Sequence, residues 1–514
     1  MNGAESLVQS LAAGGVEACF ANPGTSEIHL VAALDRVQEI RCVLGLFEGV
    51  VTGAADGYAR MAEKPACTLL HLGPGLGNGL ANLHNASRAR VPLVNVVGQH
   101  PASHLQYDTP LASDVEGIAR PYSKWMRTSQ GSAELGRDVM DAIVAARTAP
   151  GQIATLIVPA DTAWSEGGVV AEPPAVPKAP LPETAAIERA AGMLRSGLRT
   201  AILLDGNALY GSGLIVAGRI AAASGAKLFA PYPITRLQRG AGIPRVERVQ
   251  YVLEQGIEQF KEFRQLILVG APAPVAYFAY PGKSSVFTQP DCEIHTLARL
   301  GGDYVGALEA LKAALGAGGK EVAFEMESRP AMPTGEITLP GLSAAIGALL
   351  PENTIVVDES MTSGRGLMAA TRGAPPHDWL GNTGGSIGIA LPLAVGAAIA
   401  CPDRKVLCLT ADGSAMYTLQ ALWTMAREGL DVTTVVFANR DYAVLKREFS
   451  YLSAGAPGRR ARDMFEIGRP DLDWVQLAEG MGVPGRRVGS LDEFGAELRA
   501  GLEGKGPRLI HVPL

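Results

Sequence analysis

Short apolar runs suited to buried strands recur along this chain, each separated from the next by a long stretch of helical character. Residues 18–21, 43–47, 68–70 and 93–97 form one set, 201–204, 227–230 and 266–269 a second, and 355–357, 406–409 and 433–437 a third. A strand that is apolar throughout has both faces covered, and helical crossovers between such strands produce parallel sheets. The expected fold class is therefore α/β, built as three doubly wound parallel-sheet domains, with little room for an all-β alternative.

Two proline-rich segments divide the sets. Residues 167–183 carry Pro173, Pro174, Pro177, Pro180 and Pro182, and residues 328–335 carry Pro330 and Pro333. Neither can hold a central strand or a helix interior, so both are expected to be linkers. The domains are then 1–166, 184–327 and 336–514. A length of 514 residues suits three units of ordinary size, about 100–200 residues each.

Composition narrows the function classes. Hydrophobic residues make up 47% and charged residues 19%, which predicts packed cores rather than extended disorder. The net charge is −6 without a long basic run, so nucleic acid is excluded as a partner. Residues 1–14 lack a secretory pattern, and no uncharged apolar stretch approaches the ~20 residues of a membrane span. The six cysteines, Cys19, Cys42, Cys67, Cys292, Cys401 and Cys408, have no paired metal-ligand spacing and read as reduced core residues of a cytoplasmic protein.

In open α/β sheets, ligands bind beyond the carboxyl ends of the strands. The unusual residues collect there: Asn22-Pro23-Gly24-Thr25, Glu48, His71 with Gly73-Pro74-Gly75, Asp412-Gly413-Ser414, and Asn439. In 405–442 a strand ends at Asp412, a helix follows through Trp423 and Met425, and a second strand ends at Asn439. A carboxylate and an amide thereby meet at neighbouring strand ends. Hard oxygen donors of this kind suit Mg²⁺, which in turn suits phosphate oxygens. An isolated Asp-Gly is usually only a turn; the whole strand-turn-helix-strand-Asn order carries the stronger reading.

These motifs resemble the thiamine-diphosphate decarboxylase and acetohydroxyacid-synthase superfamily, with benzoylformate decarboxylase as the nearest branch. The resemblance implies a pyrimidine-binding, a central and a diphosphate-binding domain. It implies that Asp412, the Asn439 side chain and the Asp441 carbonyl hold Mg²⁺ against the cofactor diphosphate, with Gly413, Ser414 and Tyr442 beside it. Glu48 would hydrogen-bond N1′ of the aminopyrimidine and so help activate the thiazolium carbon. In the run 384–392, Gly385 would offer its carbonyl to the pyrimidine amino group, and Ile387 would enforce the bent cofactor. His71 aligns with a proton-handling histidine, and Thr25 stands where benzoylformate decarboxylase has a serine. His29, His84, His100 and His104 read as structural.

Departures from the pattern are visible. Ala411 and Ala438 replace a Gly and an Asn of the diphosphate motif. Phe278 replaces a second catalytic histidine and cannot relay protons, and Val444 and Glu448 alter the substrate pocket. The expected function is 2-oxo acid decarboxylation. The alternatives are acetolactate-synthase-like carboligation, to which Gly73-Pro74-Gly75 is similar, and a non-catalytic binding protein that kept the fold. A nicotinamide-dependent dehydrogenase is disfavoured because no G-x-G-x-x-G follows the strand at 203–207, and no flavin signature stands out. By the same resemblance the substrate is a small 2-oxo acid or aldehyde. The minimal active unit is a homodimer, and the assembly a homotetramer.

Overall fold

The computed structural model describes residues 1–452 and 455–514. The first block contributes β1 (Ala18–Asn22), β2 (Arg41–Leu44), β3 (Ala66–Leu70), β4 (Leu93–Gln99), β5 (Trp125–Thr128) and β6 (Ile153–Pro159). They lie in the order β2-β1-β3-β4-β6-β5, every pairing parallel. From the middle block come β7 (Thr200–Leu204), β8 (Lys227–Ala230), β9 (Leu237–Arg239), β10 (Glu247–Arg248), β11 (Gln265–Val269) and β12 (Glu293–Ala298). Five of these form the parallel sheet β10-β8-β7-β11-β12. The last block supplies β13 (Ile355–Glu359), β14 (His377–Gly381), β15 (Val406–Ala411), β16 (Val432–Ala438), β17 (Gly485–Arg487) and β18 (Arg508–Pro513).

The third sheet runs β17-β18-β16-β15-β13-β14-β9 and is parallel except at one edge. There β9 crosses over from the middle block and pairs antiparallel with β14, His377 opposite Arg239. Leu237 is buried in this pairing, and the Arg239 guanidinium lies 5.2 Å over the Trp379 ring. The architecture is thus the α/β arrangement expected, three mostly parallel sheets covered by helices, with one short strand from the middle block joining the third sheet.

Two local expectations need correction. The apolar run 43–47 is not all strand: β2 ends at Leu44, and Phe47 is the extended residue that starts a helix. The cysteines are all free, but only Cys19, Cys67 and Cys408 are buried. Cys292 and Cys401 are half-buried, and Cys42 is exposed because β2 is the edge of its sheet and presents Arg41 and Cys42 outward. Among the described residues, no helix is long and apolar enough to cross a membrane.

Six helices border the strand ends where the unusual residues collect: α1 (Glu48–Ala62), α2 (Leu72–Ala89), α3 (Ala390–Ala400), α4 (Asp412–Ala415), α5 (Ala421–Arg427) and α6 (Ala443–Tyr451). Glu48 opens α1 and Arg60 closes it, an order that complements the helix dipole. Its three interior glycines each cost about 0.5–1 kcal/mol of helix stability relative to Ala. Close approach between α1 and α3 offsets the cost. A methyl on Gly57 would lie 2.1 Å from the Leu393 carbonyl oxygen of α3, and one on Gly396 of α3 would lie 1.8 Å from the Ala54 carbonyl. The first and third sheets are therefore joined through two helix backbones in near contact.

Gly396→Ala should lower thermal stability by about 1–3 kcal/mol, the range for overpacking. Gly192→Ala, where an added methyl meets nothing within 4 Å, should be neutral or slightly stabilising. Melting curves of the two variants against the parent check this; equal melting temperatures would remove the close-approach argument.

Candidate active site

The register of β1 with β3, Asn22 opposite Leu70, sets the Asn22–Gly24 loop beside His71. Gly24 is required there: a methyl on it would lie 2.4 Å from the His71 ring. His71 Nδ1 lies 2.7 Å from Glu27 Oε2, and the same oxygen accepts the Gly24 N–H at 2.8 Å. Glu27 is fully buried (0% exposed), and its Oε1 has no hydrogen-bond partner. Gly98 leaves room for it, since a methyl there would be 1.7 Å from Oε1. Burial pushes the Glu27 carboxyl above its ordinary pKa, and the Gly24 N–H and His71 oppose the shift.

Glu48, 7% exposed, accepts a hydrogen bond from the Asn78 amide at 2.9 Å. Its other oxygen faces Gly75: a methyl on Gly75 would touch Glu48 Oε1 at 3.2 Å and the His71 Cβ at 3.3 Å. Glu48 and His71 thus both border one glycine of the Gly73-Pro74-Gly75 run. Thr25, the first residue of a short 3₁₀ turn, is exposed at the rim.

In the third sheet, Asp412 begins α4 at the end of β15, 2% exposed. One oxygen accepts the Gly413 N–H at 2.9 Å and the other the Arg440 N–H at 2.7 Å. Among the described residues it has no basic ion-pair partner, and burial raises its pKa. Asn439 follows β16, its Oδ1 accepting from the Asp441 N–H at 3.0 Å. Asp441 pairs through one oxygen with Lys446, while its buried Oδ1 has no partner. Ser414 and Gly413 are buried, and the Tyr442 ring lies against Gly413. The buried Asp412 carboxylate, with no basic ion-pair partner among the described residues, stands with the Asn439 amide and the Asp441 backbone as the hard oxygens that would suit magnesium. Ala411 does not strain the loop: at φ −87°, ψ 154° it has ordinary extended geometry, so no glycine is needed.

Residues 384–390 form a turn leading into α3. Gly385 has φ +77°, a conformation favouring glycine, and Gly388 (φ +94°) packs on Tyr417 just after α4. Ile387, half-buried between them, therefore lies beside the Asp412 loop. Helix α2 reaches the same turn: His84 Nε2 is 3.0 Å from the Gly384 carbonyl, and Asn85 bonds both Ser386 N and O. His84, read from sequence as structural, does structural work at this site.

The substrate-pocket residues sit less simply. Phe278 is 50% exposed and meets Tyr277 edge to face, ring centroids 5.2 Å apart. It is Tyr277 that approaches the turn, its hydroxyl 2.0 Å from where a Gly385 methyl would be. Val444 and Glu448 both belong to α6. Glu448 is buried and committed, accepting from Tyr280 Oη at 2.8 Å and Arg447 at 3.0 Å.

Of the seven non-glycine residues at positive φ among the described residues, three lie at the site: Leu72 (+49°) after His71, Arg440 (+58°) between Asn439 and Asp441, and Met361 (+51°) near Glu359; Glu63, Arg90, Asp108 and Asn353 lie elsewhere. Such strain persists only where surroundings over-determine it and clusters at functional sites. Glu359 itself, 3% exposed at the end of β13, was not legible as a site residue, nor were Glu27 or Tyr277.

Comparison with known proteins shows the family. Residues 1–118 match the thiamine pyrophosphate enzyme N-terminal TPP-binding domain, and residues 363–512 the C-terminal TPP-binding domain. The chain belongs to the thiamine pyrophosphate enzymes. It is 52% identical, over 100% of its length and 99% of the relative's, to a Mycobacterium tuberculosis protein named provisionally as the acetolactate synthase large subunit IlvX. It is 28% identical to benzoylformate decarboxylase of Pseudomonas aeruginosa, covering 97% and 96% of the two chains. Among solved structures, a thiamine diphosphate-dependent 4-hydroxybenzoylformate decarboxylase of Rhodococcus jostii RHA1 superposes with a TM-score of 0.86 at 23% identity, covering 100% and 99%, a likeness of fold. The chain is thus a thiamine-diphosphate-dependent enzyme with decarboxylase and acetolactate-synthase relatives.

Gly24→Ala should drive the His71 ring off Glu27 and cost about 1–3 kcal/mol. Gly77→Ala, with nothing within 4 Å of the added methyl, should do neither. Loss of the low-field imidazole N–H resonance of His71, alongside the melting shift, reads the first outcome; an unchanged resonance in Gly24→Ala would refute the packing described.

Proposed function

We propose that the chain decarboxylates a 2-oxo acid to an aldehyde, using thiamine diphosphate held on Mg²⁺. The observation that carries this reading is the pair of half-buried His71 and buried Glu27, beside the same glycine, Gly75, that Glu48 approaches. When bound, the cofactor supplies a carbon nucleophile and an electron sink for the bond to CO₂. Glu48, with one oxygen held by Asn78 and the other turned toward Gly75, would keep a proton at N1′ of the aminopyrimidine. Asp412, the Asn439 amide oxygen and the Asp441 carbonyl would hold Mg²⁺. Gly385 and Ile387 would receive the pyrimidine and the bend, and Gly413, Ser414 and Tyr442 would flank the diphosphate.

Converting a 2-oxo acid anion to an aldehyde and CO₂ consumes one proton. A charged Glu27 fixes the His71 proton on Nδ1, so Nε2 is the ring atom left to handle a proton at the substrate. Thr25, at the rim, would contact the substrate carboxylate. Phe278 and Val444 would border its side chain, with Tyr277 between them and the cofactor turn. Glu448, bonded to Tyr280 and Arg447, would shape that border rather than exchange protons.

A second reading is favoured by the 52% identity to a relative named as an acetolactate synthase large subunit: the carbon would be trapped by a second carbonyl compound instead of a proton. Incubation with pyruvate or benzoylformate, with and without an acceptor aldehyde, separates the two by product. Aldehyde alone supports decarboxylation; a hydroxy ketone as the main product in every case would replace it with ligation. His71→Ala should lower aldehyde formation by about 10²–10⁴-fold, the usual worth of a positioned acid–base group, without weakening cofactor binding. An unchanged rate would remove His71 from the mechanism.

Glu48 belongs to the first block and Asp412 to the third, so the two can come from different copies, as the family resemblance implies. Glu48→Ala and Asp412→Ala should each be inactive alone. Co-expressed, they should recover on the order of a quarter of the parent activity, since half of random dimers carry one intact site of two. No recovery would argue against sites built in trans.

A further inference from the structure

We infer that Glu359 is a positioning residue that sets cofactor affinity by clamping both ends of the 384–390 turn through a single buried carboxylate. The inference rests on the reading of that turn as the cradle of the cofactor pyrimidine. Glu359 ends β13, the strand between β14 and β15, opposite Thr410. Its Oε1 accepts from the Asn382 amide at 2.9 Å and the Gly388 N–H at 3.1 Å. Its Oε2 accepts from Gly388 N at 3.2 Å and Ala390 N at 3.1 Å. Asn382 carries the restraint onward, accepting the Gly385 N–H at 2.8 Å and donating to the Ser386 carbonyl at 2.9 Å. The residues on either side of Ile387 are therefore both fixed, and the Gly388 carbonyl is held from the other side by Thr418 at 2.7 Å.

Every group facing this carboxylate is a donor, so its protonated form has nowhere to direct its hydrogen without losing a bond to the turn. Ala390 is also the first residue of α3, where an anion is favoured and a neutral acid gives up that interaction. Among the described residues Glu359 has no ion-pair partner. The titratable groups around it are Cys408 on β15, Asp358 beside it on β13, and His84 on α2, which reaches the turn at Gly384. Burial pushes the Glu359 carboxyl up to about 7, against the pull of the turn's N–H groups. The clamp is complete above that pH and loosens as the pH falls through it.

The test measures thiamine diphosphate affinity at fixed excess Mg²⁺, by calorimetry, from pH 6 to 8.5. The parent should lose about tenfold in affinity per pH unit below about 7. Glu359→Gln, which places an amide donor against donors, should bind on the order of tenfold to a hundredfold more weakly at pH 8 and lose that pH dependence. Subtracting the variant's profile removes titration of the ligand itself, and His84→Asn should keep the parent's slope. Equal affinity and equal slope in parent and Glu359→Gln overturn the inference while leaving the cofactor assignment intact. A parent that binds no cofactor sinks both. If Glu359→Gln fails to fold, amide exchange on the cofactor-free parent decides: Gly388 and Ala390 should lose protection below about 7, and unchanged protection refutes the clamp.

Discussion

The buried ion pair of Asp56 and Arg60 in α1 holds the three sheets in one arrangement. Both side chains are fully enclosed, with Arg60 Nε and Nη2 at 2.8 and 2.6 Å from the Asp56 oxygens. Alone, such a pair is weak support for stability, because desolvating two ions offsets their attraction. Its remaining donors decide its value. Arg60 also reaches the carbonyls of Thr235 at 3.2 Å and Gly381 at 2.8 Å, and the Thr383 hydroxyl at 3.0 Å. One guanidinium from the first block thus binds the middle block just before β9 and the third block just after β14. The crossing of β9 into the third sheet and the entry to the cofactor turn are fixed by the same side chain. The glycine contacts between α1 and α3 then set the distance at which this happens.

That geometry explains why the chemistry is split. Each half of the candidate site sits at the carboxyl ends of its own sheet, where a strand gives way to a helix and backbone N–H groups point outward. The first half is acidic and close to a histidine; the other gathers the oxygens of Asp412, Asn439 and Asp441. Arg90 reinforces the separation by pairing with Asp205 at 2.8 Å, tying α2's C-terminal end to the middle sheet instead of to the Asp412 loop. A ligand long enough to span pyrimidine and diphosphate matches two such halves better than either alone.

Sheets and strand-end glycines were legible in the sequence because both are local. Most apolar runs of four or five residues are buried strands, the run 43–47 being cut short at Leu44, and the strand-end turns stand out by their glycines. Glu27 was not legible: in Thr25-Ser26-Glu27 it reads as a helix start, and its partner His71 lies 44 positions away. Glu359 was hidden for the same reason, its donors 23 to 31 positions further on. Cys42 misled because the apolar run did not reveal which strand would be the edge.

The distribution of energetic cost argues against a chain that kept the fold without the chemistry. Glu27, Glu359 and Asp412 are carboxylates with almost no exposure, all shifted upward by burial and none beside a lysine or arginine ion pair among the described residues. Each would be more cheaply replaced by an amide or an apolar residue if folding were the only demand. Leu72, Met361 and Arg440 add backbone strain within two residues of His71, Glu359 and the metal-ligand candidates. Costs of this kind, gathered at the strand ends of the candidate site, are what local rules broken for function look like.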